Sequence, residues 1–362
     1  MPLLIQPLPD GPLDIIGDVH GEIDALLRLL HRLGCDPARR TVTRPLVFVG
    51  DLIDRGPDSP AVVSLVKRLM EAGVAHCVVG NHELNLLQGL EKEGNGWFRG
   101  DGTDGFQREL GGVVQHLTFD SVPAHPEMAD DTLDFLASLP LAMVREDLRV
   151  VHACWRSSAV ASLPAEGEVA PLSREWAIRI RDELRGGGQL EQERQEIAPF
   201  ANLKRLDVRP THDLPAHAEV AEARQCRHPI KALTSGLETR VLFDDIFFVG
   251  GKWRFVRRLD WWNQYDEAPA VVVGHYWRRR AGAMVEGKPD PWNTPRHTDW
   301  AGPRRNVFCV DYSVGRRFAE RAVGRVGGFD GGLAALRWPE RELVFDDQSA
   351  PQPTTNWGGG AG

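Results

Sequence analysis

The first 90 residues alternate short apolar runs with amphipathic stretches, which is the pattern of β-strands joined by crossover helices. The apolar runs predict strands over residues 13–17, 45–50 and 75–80. The amphipathic stretches predict helices over residues 22–33, 59–72 and 82–90. Short strands that each lead into a helix indicate an α/β domain, whose ligand-binding loops follow the carboxyl ends of the strands.

The middle of the chain is less regular. Residues 94–130, rich in Gly, Asp and His, predict a loop-dominated excursion, followed by a helix over 131–138 and a strand over 148–152. Residues 156–230 are charged and helical in pattern, with three glycines at 186–188. They predict a helical insertion, which is either a solvated surface layer or a lid over a substrate.

The last third of the chain returns to strand patterns, which would form a second sheet. The predicted strands cover residues 241–249, 253–258, 270–273, 306–310, 333–338 and 342–345. The polar, Pro- and Gly-rich tail over residues 347–362 predicts disorder.

Composition and charge limit the partners and the cellular compartment that we expect. With 362 residues, 42% of them hydrophobic and 26% charged, the chain is long enough for a sizeable core. Its net charge of -8 offers no general attraction to nucleic acid or to an anionic membrane, so neither is expected as a partner. The five dispersed cysteines predict buried thiols, and the first residues lack a basic signal-peptide region, so we expect a cytoplasmic protein.

Polar side chains with ligand chemistry follow five of the predicted strands. Three strands lead into GDVHG (17–21), GDLIDRG (50–56) and GNHE (80–83), and two later strands lead into VVHAC, with His152, and VVVGHYW, with His275. Carboxylate, amide and imidazole groups without a thiol favour manganese, iron, zinc or similar cations. The pattern therefore predicts a site for two metal ions at one sheet edge.

These five blocks resemble the calcineurin-like metallophosphoesterase superfamily. Within it they resemble the phosphoprotein phosphatase group, which includes protein Ser/Thr phosphatases and diadenosine tetraphosphate hydrolases, and VVHACW, IKALTSGLE, GHYW and VDYSVG resemble its bacterial members. The single histidine of GHYW favours this group over branches with GHxH. The resemblance implies one domain over residues 1–346, a four-layer α/β/β/α sandwich of two mixed sheets with 156–230 as its helical insertion.

The resemblance also implies roles for the metal ligands. Asp18 and His20 would hold the first metal, Asp51 would bridge both, and the second metal would be completed by Asn81, His152 and His275. The two divalent cations would be manganese, with iron, zinc, nickel or cobalt as alternatives. A hydroxide shared by the two cations would attack phosphorus, because cation charge lowers the pKa of bound water.

Three further residues acquire roles by the same resemblance. His82 would protonate the leaving oxygen, Asp54 would orient His82, and Arg55 would bind phosphate oxygens. A second phosphate-binding arginine is implied, but Arg240, Arg257 and Arg258 all lie in a poorly matched stretch and none is assigned. Asp311 resembles an aspartate in a late motif of this group. An insertion over residues 316–329 lies between this motif and the glycine-rich stretch that usually follows it.

The motif residues also have simpler interpretations. A single Gly-Asp pair is more often a turn, and a single His152 is more often a core histidine, but their order after successive strands favours a ligand set. The predicted function is hydrolysis of phosphomonoesters. Phosphorylated proteins are the favoured substrates, and small phosphate compounds are the second choice. The alternatives are a bis(5′-nucleosyl)-tetraphosphatase and, in a different class, a noncatalytic module that binds metal or phosphate.

Overall fold

The fold is taken from a computed structural model, which describes residues 1–110, 113–200, 203–204, 208–249, 252–280, 292 and 294–359. The helices are α1 (Ile23–Arg32), α2 (Ser59–Glu71), α3 (Asn81–Leu87), α4 (Gly96–Arg99), α5 (Ala129–Ala137), α6 (Ser157–Ala161), α7 (Val169–Gly186), α8 (Gln189–Ile197), α9 (Pro215–Cys226), α10 (Pro229–Ser235) and α11 (Arg317–Ala322). The strands are β1 (Ile5–Pro7), β2 (Leu13–Ile16), β3 (Leu46–Phe48), β4 (Ala75–Cys77), β5 (Thr103–Leu110), β6 (Val113–Asp120), β7 (Ala142–Val144), β8 (Leu148–Val151), β9 (Glu238–Arg240), β10 (Phe247–Val249), β11 (Lys252–Arg254), β12 (Val256–Arg258), β13 (Ala270–Val273), β14 (Val307–Cys309), β15 (Ala334–Trp338), β16 (Glu342–Phe345) and β17 (Gln352–Pro353).

Two mixed sheets form the centre of the fold. The six-stranded sheet has the order β17-β16-β15-β2-β3-β4, with β2, β3 and β4 parallel and the other pairs antiparallel. The five-stranded sheet has the order β1-β7-β8-β13-β14, with β8, β13 and β14 parallel and β7 antiparallel to β8. The parallel strands of both sheets direct their following loops to one edge.

Alternation along the strands produces the layers. In β2, Ile15 belongs to a core cluster shared with Val150 and Val272 of the other sheet, so this face lies between the sheets. Its neighbour Ile16 belongs to a second cluster that includes Leu26 of α1. Two sheets face to face with helices outside them make the α/β sandwich of two mixed sheets that the resemblance implies.

The first strands and helices confirm the predictions to within about three residues at each end. The described part of residues 156–230 contains the predicted helices, from α6 to the start of α10, and the three glycines lie where α7 gives way to α8. Helix α10 is joined to the loop after β8, since the Ala153 backbone N–H donates to the Leu233 carbonyl. No described helix has both the length and the apolar character that a membrane span needs.

Three predictions of local structure were wrong. Residues 103–110 and 113–120, predicted as mainly loop, are the antiparallel strands β5 and β6 of a hairpin. The strands predicted over 241–249 and 253–258 are replaced in the described residues by the shorter strands β10, β11 and β12; β10 pairs with β11, and β12 pairs with β9, which precedes residue 241. The tail is not disordered in its described part, since β17 extends the six-stranded sheet and the Trp357 ring lies 4.5 Å from that of Trp300.

Candidate active site

The predicted metal ligands follow parallel strands of both sheets. Asp18, Asp51 and Asn81 come after β2, β3 and β4 of the six-stranded sheet. His152 and His275 come after β8 and β13 of the five-stranded sheet. The structure brings all of them, together with His20, to one buried site where the carboxyl ends of the two sheets meet.

The loops that carry these side chains adopt unusual backbone conformations. His20, Asp51, Asp54, Arg55 and His275 all have positive φ, between 47° and 74°. Such values are uncommon outside glycine and each costs free energy, so the surrounding structure must enforce them. One source of that support is a buried glutamate whose carboxylate accepts three backbone N–H groups; the residues are Glu83 as acceptor and Gly80, Asp51 and Leu52 as donors.

The Asp51 carboxylate lies at the centre of the site. Its Oδ2 is 3.4 Å from His152 Nε2, 3.7 Å from His20 Nε2 and 3.9 Å from His82 Nε2. Two sets of potential ligand atoms share this carboxylate, His20 and His82 in one and His152 and His275 in the other. A carboxylate common to two ligand sets is the arrangement expected of a bridging ligand, since its oxygens can serve two cations.

The tautomers of two histidines fit metal ligation. His20 Nδ1 lies 3.1 Å from the Ile53 carbonyl and His152 Nδ1 lies 2.7 Å from the Val49 carbonyl, so each Nδ1 donates. In the neutral imidazole this leaves the Nε2 lone pair directed at the site, which is how backbone carbonyls orient ligating histidines. Burial, followed by the positive charges of Arg55 and His82, lowers the pKa of His20 well below its usual range.

Asn81 and His275 complete this acceptor-rich cluster. Asn81 Oδ1 lies 3.2 Å from His152 Nε2 and 2.8 Å from His275 Nδ1. The His275 N–H donates to Asp18 Oδ2 at 3.1 Å, and a Cβ added to Gly274 would overlap the Asp18 carboxylate. Glycine at that position therefore permits the close approach of the two sheets.

The charges in the site also fit bound cations. Burial, and then the neighbouring carboxylate of Asp311, raises the pKa of Asp18 well above its usual range. Burial would raise the pKa of Asp51 too, but the imidazoles of His152, His82 and His20 hold it well below its usual range. Burial opposes protonation of His152, yet Asp51 and Asp18 outweigh it and raise the pKa of His152 to about 10. Bound cations would balance the negative charge of this buried cluster, and its carboxylate, amide and imidazole groups are the ligand types of a dinuclear metal centre.

His82 and Asp54 form a buried pair beside the metal ligands. His82 Nδ1 lies 2.6 Å from Asp54 Oδ2, so His82 Nε2 is left to face the site. The other oxygen of Asp54 accepts a hydrogen bond of 2.7 Å from the indole N–H of Trp97. Trp97 is only 1% exposed, and the sequence analysis did not single it out.

Two arginines border the site. Arg55 Nη1 lies 3.1 Å from His20 Nε2, and its guanidinium lies 4.8 Å from the centre of the Trp277 ring. Among the three arginines left unassigned, Arg258 reaches the site, with Nη1 at 3.5 Å from the His275 carbonyl. Arg240 instead pairs with Glu222 at 3.1 Å, and Arg257 is the neighbour of Arg258 on β12, so its side chain points to the opposite face.

Two buried carboxylates without an assigned role, those of Asp311 and Glu83, lie next to the site and hold its loops by hydrogen bonds. The Asp311 carboxylate accepts N–H bonds from Trp277 at 2.8 Å and Ser313 at 2.7 Å. Burial, followed by the Asp51 charge, raises the pKa of Glu83 to about 7. Their position behind strand-end motifs was a usable signal: Glu83 ends GNHE and Asp311 follows β14.

These features define a class of protein: an α/β sandwich in which strand ends of both sheets present carboxylate, amide and imidazole ligands for two cations. Residues 11–157 match the family of calcineurin-like phosphoesterases. The resemblance inferred from the five motifs is thereby confirmed.

Similarity to individual proteins covers parts of the chain. It is 33% identical over 172 residues to the symmetrical bis(5′-nucleosyl)-tetraphosphatase of Dechloromonas aromatica (strain RCB), which covers 46% of this chain and 54% of that protein. It is 46% identical over 74 residues to the asymmetrical bis(5′-nucleosyl)-tetraphosphatase PrpE of Oceanobacillus iheyensis, which covers 19% of this chain and 30% of that protein. The chain thus spans about half the length of these relatives, or less.

Among solved structures, the cold-active protein-tyrosine phosphatase of a psychrophilic Shewanella species aligns over 97% of this chain and 83% of its own. Its sequence identity is 17% and its TM-score 0.41.

Proposed function

We propose that the chain hydrolyses phosphate compounds with two divalent cations, and that its substrates are dinucleoside polyphosphates such as diadenosine tetraphosphate. The observation that carries the proposal is the Asp51 carboxylate shared by two sets of ligand atoms, beside the His82–Asp54 pair. This pair favours catalysis over a module that only binds metal or phosphate, because an imidazole whose Nδ1 is held by a carboxylate can donate a proton from Nε2.

Similarity to relatives supports the substrate class. The sequence alone favoured phosphoproteins over dinucleotides, but the two relatives described above are both bis(5′-nucleosyl)-tetraphosphatases. We therefore place dinucleoside polyphosphates first and phosphomonoesters second.

The proposed roles follow from the geometry. The cations would be held by six side chains: Asp18, His20, Asp51, Asn81, His152 and His275. When bound, the cations supply Lewis-acid charge and activate water as a nucleophile. His82, with Nδ1 held by Asp54, would give the proton on Nε2 to the leaving oxygen. Arg55 and Arg258 would bind phosphate oxygens.

The test is an assay of the purified chain with manganese on diadenosine tetraphosphate, a phosphoserine peptide and p-nitrophenyl phosphate. We expect the highest kcat/KM for diadenosine tetraphosphate. Asp51→Asn should reduce every activity to background, because it replaces the central anionic ligand with a neutral amide. Asp10→Asn, which makes the same change at an exposed position, should leave activity unchanged.

Each result decides a separate part of the proposal. Full activity in Asp51→Asn would refute its role as the shared ligand. A higher kcat/KM for the phosphopeptide would restore phosphomonoesters as the substrate class. Manganese binding by the wild-type chain without turnover of any substrate would favour the noncatalytic module.

A further inference from the structure

A small cavity borders Arg55, the arginine that also contacts His20. Its volume is about 230 Å³, and it lies between the β5–β6 hairpin and helix α11. Its lining combines two arginines, four apolar residues and two polar residues: Arg55, Arg321, Pro57, Phe119, Phe318, Ala322, Thr118 and Asp120. Arg55 faces both the cavity and the metal ligands, since its Nη1 also lies 3.1 Å from His20 Nε2.

One wall of the cavity is fixed to the metal-binding loop. Both guanidinium nitrogens of Arg321 donate to the carboxylate of Glu22, one of them at 2.7 Å. Glu22 is 1% exposed and directly follows the GDVHG motif. A Cβ added to Gly315, just before α11, would overlap the His20 ring. The insertion over residues 316–329 is therefore anchored at the active site where it follows Gly315.

The other wall is the hairpin. The rings of Phe106 and Phe119 lie 4.7 Å and 4.9 Å from the ring of Phe318, centre to centre, and form a small apolar core between hairpin and helix. The hairpin is tied to the Arg55 loop by the Val122 N–H, which donates to the Pro57 carbonyl at 2.8 Å. The cavity thus has two built walls and is not a gap between unrelated surfaces.

The chemistry of the lining indicates its ligand. Phe318, Arg321 and Ala322 occupy one face of α11, at spacing i, i+3 and i+4, and all three line the cavity. Guanidinium and phenyl groups both bind the faces and edges of planar aromatic rings. The volume is below the roughly 300–1,000 Å³ of sites for drug-sized ligands, so it suits one ring system and excludes a folded protein segment.

We propose that this cavity binds the aromatic group, such as a nucleobase, that is attached to the phosphate held by Arg55. The inference rests on the proposed function only in placing a phosphate at Arg55. It assigns a substrate-selecting role to the β5–β6 hairpin and to the insertion that carries α11.

The test compares three probes by titration calorimetry on the wild-type chain with manganese: adenosine 5′-monophosphate, ribose 5-phosphate and inorganic phosphate, with their integrity checked by chromatography. We expect the adenine-bearing probe to bind at least about tenfold more tightly than ribose 5-phosphate. Ala322→Leu, which fills the cavity, should remove that difference and leave inorganic phosphate unchanged. Ala319→Leu adds the same bulk to α11 at a position outside the lining and should preserve the difference.

Equal affinity of the wild-type chain for the two sugar phosphates would overturn the proposal, and so would a tenfold difference that survives in Ala322→Leu. If Ala322→Leu also weakens the binding of inorganic phosphate, Thr118→Leu, which fills the cavity from the hairpin side, is tested instead with the same expected and contradicting results. Binding is measured without turnover, so loss of the proposed activity and loss of this site are distinguishable.

Discussion

Trp97 shows how a single side chain outside the motifs can set the geometry of a proposed general acid. Its indole N–H donates to Asp54 Oδ1 at 2.7 Å, while Asp54 Oδ2 holds His82 at 2.6 Å. A carboxylate fixed through both oxygens cannot rotate, so His82 keeps one orientation. Trp97 is therefore a positioning residue for the proton transfer.

Trp97→Phe keeps an aromatic ring but removes the N–H. We expect the turnover of phenyl phosphate, whose leaving oxygen needs a proton, to fall about tenfold, in line with the loss of a hydrogen bond to a charged group. Turnover of p-nitrophenyl phosphate should change much less, because p-nitrophenolate leaves without a proton. Steady-state kinetics of both substrates with manganese make the measurement.

The double variant Trp97→Phe/Asp54→Asn supplies the control. Because both changes act on His82, their effects on phenyl phosphate should not add. An equal loss on both substrates, or additive losses, would mean that Trp97 only supports packing.

The motif residues were predictable and Trp97 was not, for a physical reason. Each motif directly follows a buried strand, so its position in the sheet fixes where its side chains lie. Trp97 reaches Asp54 across 43 positions, through a loop path that no local pattern encodes. Arg258 was recognised only as one of three arginines, since the pairing of β9 with β12 decides which of them faces His275.

At the level of elements, β2 carries a buried carboxylate away from the metal site. Asp14 pairs in register with Arg337 of β15, and Arg337 Nε lies 3.5 Å from Asp14 Oδ1. Neither carboxylate oxygen has a hydrogen-bond partner among the described residues, and Asp14 is 0% exposed. Burial raises the pKa of Asp14 from 3.8 to about 6, although Arg337 and Arg44 oppose the shift.

This shift predicts a pH dependence of the free energy of unfolding. The folded chain binds the Asp14 proton more tightly than the unfolded chain, so this contribution is present below pH 4 and is lost as the pH rises through 6. Two pKa units correspond to about 3 kcal/mol. Relative to wild type, Asp14→Asn should therefore gain stability between pH 4 and pH 7, as measured by urea unfolding with EDTA present.

Comparing the two chains at each pH cancels the titration of all other groups. A stability difference that stays constant from pH 4 to pH 7 would contradict the raised pKa of Asp14. Glu342→Gln, which removes another carboxylate beside Arg337 but at a partly exposed position, provides the matched control and should show a smaller dependence.

Elements with strong periodicity were predicted and those defined by distant partners were not. The amphipathic pattern of α1 and α2 and the apolar runs of β2 and β13 are local signals. The β5–β6 hairpin has a charged, glycine-containing first strand, TDGFQREL, which lacks such a signal. Strand β17 exists only because β16 offers an edge, and its Pro353 is compatible with an edge position.

For the whole molecule, the proposed metal site connects the two sheets. Asp18, Asp51 and Asn81 follow strands of one sheet, and His152 and His275 follow strands of the other. The proposed ligands therefore come from both sides of the interface between the sheets. The layering itself was expected from the resemblance, because periodicity indicated only an α/β fold. Ligands from two sheets imply that cation binding stabilises their packing.

Metal removal should therefore lower the stability of the whole fold. A cation that binds only the folded chain, at a concentration about 100 times its Kd, adds about 2.7 kcal/mol, which for a chain of this size corresponds to a rise in Tm of roughly 3–4 °C. We expect manganese to raise the Tm of wild type and of Asp10→Asn by this amount in differential scanning calorimetry, and EDTA to reverse it. Asp51→Asn should melt at the same temperature with and without manganese, since the carboxylate that both ligand sets share is gone. A manganese-dependent rise in Asp51→Asn equal to that of wild type would show that the cations bind elsewhere and do not join the two sheets.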